Sequence, residues 1–148
     1  MSDTPPSVLV RPPADTDAPS IARLMDELGY AATPEQTRAR LARVAGDEAY
    51  AACVAEVEGE VAGFLGLQRG WAYEHDRPFA RIITLVVDAR VRRRGVGARL
   101  VEFAKGWARE RGAYVLMLNT NVRREEAHRF YESMGFSRTG YRYARALD

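Results

Sequence analysis

Apolar positions along this chain fall into two kinds of block: short runs rich in β-branched residues, and longer stretches with apolar residues three and four apart. Residues 7–11 read as a short strand that Pro12 and Pro13 end. Asp15 or Thr16 then caps a helix whose inward face is Ile21, Leu24, Met25 and Leu28, with Gly29 as its stop. Thr33 before Pro34 marks the start of a second helix, with Leu41 and Val44 facing inward. Residues 50–57 and 61–68 flank Glu58-Gly59-Glu60 and predict an antiparallel hairpin.

The stretch around which the rest is organised follows. Residues 82–87 form a buried strand that stops at Asp88, and Val96, Leu100, Phe103, Ala104, Trp107 and Ala108 then recur at helical spacing up to Gly112. The turn between them carries Arg92, Arg93 and Arg94 with Gly95 and Gly97, so bare backbone N–H groups at a helix N-terminus can approach an anion. Residues 114–118 read as another apolar strand, and a strand, crossover helix and strand in this order are parallel neighbours. A turn at residues 121–123 leads into a helix with Glu125 and Glu126 in its first turn, Ala127, Phe130, Tyr131 and Met134 facing inward, and Gly135 as its end. Residues 136–144 read as a last strand with partial alternation. The order predicts an α+β fold with a mixed sheet, as one domain over residues 7–148 behind a flexible tail at residues 1–6.

Composition narrows the functional classes. A length of 148 residues, 47% apolar and 28% charged, suits a single globular domain. The formal charge is only +2, and the arginines cluster in the turns near residues 90–99 and 123–129. The expected anion preference is therefore local, and without aromatic-basic interleaving no nucleic-acid partner is expected. Cys53 is the lone cysteine, which excludes an intrachain disulfide and a cysteine-rich zinc site, and it reads as a small buried hydrophobe rather than an acyl carrier. His128 has no metal constellation around it, so no metal is expected. No run is apolar enough to span a bilayer and the start lacks a signal-peptide pattern, so no membrane partner and a cytoplasmic setting are expected.

Arg92-Arg93-Arg94-Gly95-Val96-Gly97 resembles the Arg/Gln-x-x-Gly-x-Gly/Ala acyl-CoA loop of the GNAT superfamily of N-acetyltransferases. Ala127-His128-Arg129-Phe130-Tyr131-Glu132-Ser133-Met134-Gly135-Phe136 resembles the family's second signature, a helix carrying a tyrosine before Gly-Phe. The resemblance implies a largely antiparallel central sheet with a V-shaped splay between the fourth and fifth strands, flanked by about four helices. It implies acetyl-CoA or a close acyl-CoA as acyl donor, with its pyrophosphate held by Arg92, Arg93, Arg94, Gly95, Val96, Gly97 and Ala98. The pantetheine arm would pair with Leu85, Val86 and Val87, whose segment would also aim a backbone N–H at the thioester oxygen.

Tyr131 maps onto the family's general acid, and a phenol remains protonated at neutral pH and can donate to a departing thiolate. Asn119 and Asn121 lie where the family often contacts the cofactor arm, although Arg124 stands at the more usual asparagine position. Residues 81–87 contain no carboxylate, which leaves Glu74, His75, Glu27 or solvent to take the amine's proton. Direct transfer in a ternary complex to a small-molecule or peptide amine is the implied activity, with room for a homodimer. A non-catalytic acyl-CoA-binding regulatory module is the alternative.

Overall fold

The computed structural model describes residues 7–92, 94–119 and 125–147. Its strands are β1 (Val8–Arg11), β2 (Tyr50–Val57), β3 (Glu60–Gly70), β4 (Phe79–Val87) and β5 (Val115–Leu118). The helices are α1 (Ala18–Leu28), α2 (Pro34–Val44), α3 (Val96–Glu110) and α4 (Glu125–Ser133), with single 3-10 turns at Asp15–Asp17 and Ala89–Val91. The sheet order is β1-β2-β3-β4-β5, antiparallel except for the parallel pair β4 and β5. This is the mixed α+β architecture expected from the pattern.

Two cores form on the two faces of the sheet. On one face Val96, Leu100, Val101, Ala104, Trp107 and Ala108 of α3 pack with Cys53, Leu65, Leu67, Ala80 and Ile82, and Phe130 of α4 and Met134 just after it close its edge. On the other, Ile21 and Leu24 of α1 pack with Val54, Val61, Phe64 and Val86. Alternation along β4 would keep even-numbered residues on the α3 side throughout, but Ile82, Leu85 and Val87 all join that core. The explanation is a bulge: Gly66 faces Thr84 while Leu67 faces Ile82, so Ile83 has no opposite residue and the parity of the strand changes there.

The splay is visible in the register. β5 pairs with β4 from Phe79 with Val115 to Ile82 with Leu118, and β4 runs on to Val87 without it. Among the described residues, the C-terminal half of β4 has a partner on the β3 side only.

Three local expectations change. The first helix has Asp17, not Asp15 or Thr16, at its N-cap, because Asp15–Asp17 form a 3-10 turn ahead of it; the Asp17 carboxylate makes no side-chain cap and accepts instead from Arg11 at 2.7 Å and from the Ala14 amide at 2.7 Å. The fourth strand begins at Phe79, three residues before its apolar run, because β3 and β5 pair with residues that include the charged Arg81. Residues 136–144 are not a strand: beyond Phe136 the chain is exposed and irregular, with Tyr141 and Tyr143 in solvent. β5 is only four residues long, and the arginines, Thr139 and Gly140 offer little apolar face to dock.

The approach of α3 to β3 sets a sharp packing limit. A Cβ at Gly63 would stand 3.0 Å from Leu100 Cδ1 and 3.2 Å from Val96 Cγ1. Gly63→Ala is therefore expected to cost about 1–3 kcal/mol by overpacking. Adding Leu100→Val should recover part of that loss, so the double variant is more stable than the two single losses summed, as read by denaturant midpoints.

Candidate active site

The turn after β4 is built by one buried carboxylate. Asp88 is 3% exposed, and its own amide donates to Ala62 O at 2.8 Å, which holds the strand end against β3. Its Oδ1 accepts from the Arg90 amide at 2.9 Å, and Oδ2 accepts from Arg90 Nη2 at 2.7 Å. Arg23 of α1 approaches the same Oδ2 at 3.5 Å and also donates to Val61 O at 3.3 Å. The hydrogen bonds from Arg90 hold the Asp88 carboxyl at about 2, against an ordinary value of 3.8. From the sequence alone Asp88 reads only as the end of a strand. A short carboxylate that opens a turn two residues before its own amide partner was the available signal.

Past this clamp the chain passes Arg92 and reaches Gly95, whose φ of 82° lies in the left-handed region. Nothing approaches its Cβ position, so backbone conformation alone requires glycine there. Gly95 is the N-cap of α3 and supplies no side-chain cap, and the first helical hydrogen bond is from the Arg99 amide to Gly95 O. The amides of Val96, Gly97 and Ala98 thus precede the helical ladder and carry the positive end of the helix dipole. Arg92 and Arg94 are exposed beside them, and Arg94 also borders a depression of about 320 Å3 shared with Glu58, Glu60 and Asp88. Arg93 and Asn121 lie outside the described residues, and Asn119 is exposed after β5.

Gly97 is glycine for a different reason. A Cβ there would stand 3.1 Å from Phe130 Cζ and 3.7 Å from Val87 Cγ2, so the end of β4, the start of α3 and the middle of α4 meet at this residue. That contact brings Tyr131, next to Phe130, to the same end of the sheet as the arginine turn. The Tyr131 ring is half-buried and packs edge-on against Phe130 and Phe136, at 5.3 and 5.9 Å between centroids. Leu85, Val86 and Val87 lie on the part of β4 that β5 does not cover.

The remaining acid-base candidates lie elsewhere. Glu74 and His75 are exposed on the loop at the N-terminal ends of β4 and β5, where His75 stacks on Tyr114 at 4.0 Å. The loop is separated from the splay by the paired half of β4, roughly 13 Å of strand at the usual rise. Glu27 accepts from the Ala89 amide at 2.9 Å and so anchors α1 to the turn. Cys53 is buried in β2, and burial pushes its thiol up to about 12. Among the described residues there is no cluster of three or more metal-ligating side chains, and no helix is long and apolar enough to cross a membrane.

Residues 19–136 match the model of the acetyltransferase (GNAT) family. This chain belongs to the GNAT family. A GNAT relative from Salmonella typhimurium, an aminoalkylphosphonate N-acetyltransferase, is 35% identical over 60% of this chain and 58% of its own length. The chain spans about half the length of the curated relatives it matches. In fold it is similar to a transcriptional regulator from Bacillus halodurans, with a TM-score of 0.86 at 23% identity over 95% of this chain and 100% of the other. It is also similar to an aminoglycoside N-acetyltransferase solved in complex with CoA, with a TM-score of 0.84 at 16% identity over the whole of both chains.

Two outcomes test this construction. Asp88→Asn should cost on the order of 2 kcal/mol near neutral pH, the usual worth of charge-assisted hydrogen bonds. Because the folded value is depressed, the wild-type advantage should be full above about pH 4 and vanish as the pH falls through about 2, read by denaturant melts across that range. The two glycines should separate: Gly95→Asn should be tolerated better than Gly95→Val, since asparagine adopts the left-handed region more readily. At Gly97 even alanine should loosen α4, read as faster amide exchange around Phe130 with α1 unchanged.

Proposed function

We propose that this chain moves the acetyl group of acetyl-CoA to a primary amine, directly and in a ternary complex. The observation that carries the reading is the uncapped N-terminus of α3 at the open end of the β4–β5 splay, with Arg92 and Arg94 beside it. Three amides, a helix dipole and guanidinium groups suit a pyrophosphate, and Gly95 and Gly97 leave its approach free of side chains. In this reading Arg93 and Ala98 complete the phosphate turn, and Asn121 contacts the cofactor arm.

The uncovered edge of Leu85, Val86 and Val87 offers strand-like partners for the amides of the pantetheine arm. One N–H of that edge faces the thioester oxygen, where negative charge grows as the amine attacks the carbonyl carbon. The C–N bond forms, the C–S bond breaks, and the departing thiolate takes the Tyr131 hydroxyl proton. Glu74 and His75 sit beyond the paired strands and Glu27 is engaged with Ala89, so the amine's proton passes to water. The buried thiol of Cys53 supports transfer without an acyl-enzyme.

The names of similar proteins, an aminoalkylphosphonate and an aminoglycoside N-acetyltransferase, support an amine acceptor of small-molecule size. The domain at residues 7–148 is read as sufficient for this chemistry, in the cytoplasm and with or without a second copy of the chain.

The test is thermal denaturation with and without acetyl-CoA, followed by thiol release over a panel of amines. Stabilisation by at least a few degrees at millimolar acetyl-CoA is expected, and its absence overturns the donor assignment. Tyr131→Phe should keep that stabilisation while lowering turnover about 10²-fold or more, the usual worth of a general acid. Unchanged turnover would remove Tyr131 from the reaction. Stabilisation with no turnover on any amine would instead indicate an acyl-CoA-binding regulatory module.

A further inference from the structure

A polar row crosses the sheet beside the splay. Tyr50, Gln68, Arg81 and Met117 are register neighbours on β2, β3, β4 and β5. Their flanking residues Ala51, Leu67, Ala80 and Ile82 pack into the α3-side core, so the row projects to the opposite face, the one α1 covers further along. Gln68 Nε2 donates to Tyr50 Oη at 3.2 Å, which fixes the amide so that its oxygen accepts from Arg81 Nη2. The Phe79 ring lies 6.0 Å from the Arg81 guanidinium carbon on the same strand. Arg81 is thus oriented from two sides, with Tyr50 fixing the Gln68 amide behind it.

Its charge, however, is not balanced. No described carboxylate pairs with Arg81, and its Nε is buried without a hydrogen-bond partner. An unsatisfied buried donor of this kind costs on the order of 1–3 kcal/mol, and the half-buried guanidinium keeps a net positive charge that an anionic group can balance. Arg11 is matched by Asp17 and Arg90 by Asp88, whereas the Arg81 guanidinium meets only the neutral Gln68 oxygen. Arg81 is also one register step, roughly 3.3 Å, from Ile82 and Leu118, the last pair before the strands part. The α3 side of that point is filled by core, so an amine reaching the thioester comes from the face that carries Arg81.

We propose that Arg81, held by Gln68 and Tyr50, binds an anionic group on the acceptor, so that the preferred substrate is a short primary amine carrying a phosphonate, phosphate or carboxylate a few bonds away. This deepens the acetyl-transfer reading and rests on it. A fixed guanidinium discriminates in both directions: it pairs with planar or tetrahedral oxyanions and repels polycationic amines.

The experiment compares three primary amines of equal chain length, ending in a phosphonate, a carboxylate or a methyl group. Thiol release is measured with acetyl-CoA, and binding is measured separately by calorimetry with CoA present. Wild type should favour at least one anionic amine over the methyl-terminated one by tenfold or more in kcat/KM. The phosphonate and carboxylate arms then show which head is preferred. Arg81→Gln should raise KM for that amine at least tenfold more than for the methyl-terminated one, and Arg81→Lys should restore part of the difference. Gln68→Glu keeps the side-chain shape and sets a carboxylate against Arg81, so it should erase the same preference even if Arg81→Gln fails to fold. Equal use of all three amines by wild type, or an equal loss on all three in both variants, overturns the proposal. Selective calorimetric binding of an anionic amine without thiol release from any of them supports the Arg81 site and overturns acetyl transfer alone.

Discussion

Two parallel strands cannot be joined by a tight turn, and the organisation of this chain follows from that constraint. The return from Val87 to Val115 needs a crossover, and α3 supplies it on one face of the sheet. A crossover helix must begin at the C-terminal end of the first strand, so its unpaired amides stand where β4 and β5 have already separated. Strand edge, helix N-terminus and basic turn therefore converge without any of them being placed individually. In parallel sheets generally, ligands bind beyond the carboxyl ends of the strands where neighbouring connections diverge.

What keeps that convergence in place is contact from outside the crossover. α1 reaches it through Arg23 and Glu27, which engage Asp88 and the Ala89 amide, and α4 reaches it through Phe130 against Gly97. The two anchors differ in kind. The first is a set of hydrogen bonds to a buried charge, costly if one partner is removed. The second is a close steric fit, in which an added carbon at Gly97 would press on the Phe130 ring at 3.1 Å. The turn is thus braced on one side by charge and on the other by shape.

Much of this was legible as pattern. The hairpin at Glu58-Gly59 and the β4 run were evident from alternation and turn residues, and the α3 stripe and the glycine-arginine turn from periodicity and spacing. The features that escaped depend on which residues become neighbours across strands. The Ile83 bulge cannot be seen in a run with apolar residues at both parities, yet it decides which face Leu85 and Val86 occupy. The row from Tyr50 to Arg81 exists only once three strands are in register, and a lone arginine near the start of a strand read as its boundary. Asp88 looked like an ending because its four polar contacts come from elements distant in sequence as well as from its own turn. At residues 136–144, alternation suggested a strand, but alternation without a neighbour to pair with does not make one.

Cys53 is the chain's lone cysteine, shut inside β2 with its thiol raised to about 12. Burial keeps it protonated at neutral pH and out of reach of solvent. The folded protein is therefore silent toward a thiol-reactive dye, and every equivalent of colour in a reaction mixture counts a CoA molecule set free. The same silence makes the residue an internal gauge of integrity: slow labelling in the absence of amine measures how often β2 leaves the sheet, and hence how much of a variant's lost activity belongs to unfolding.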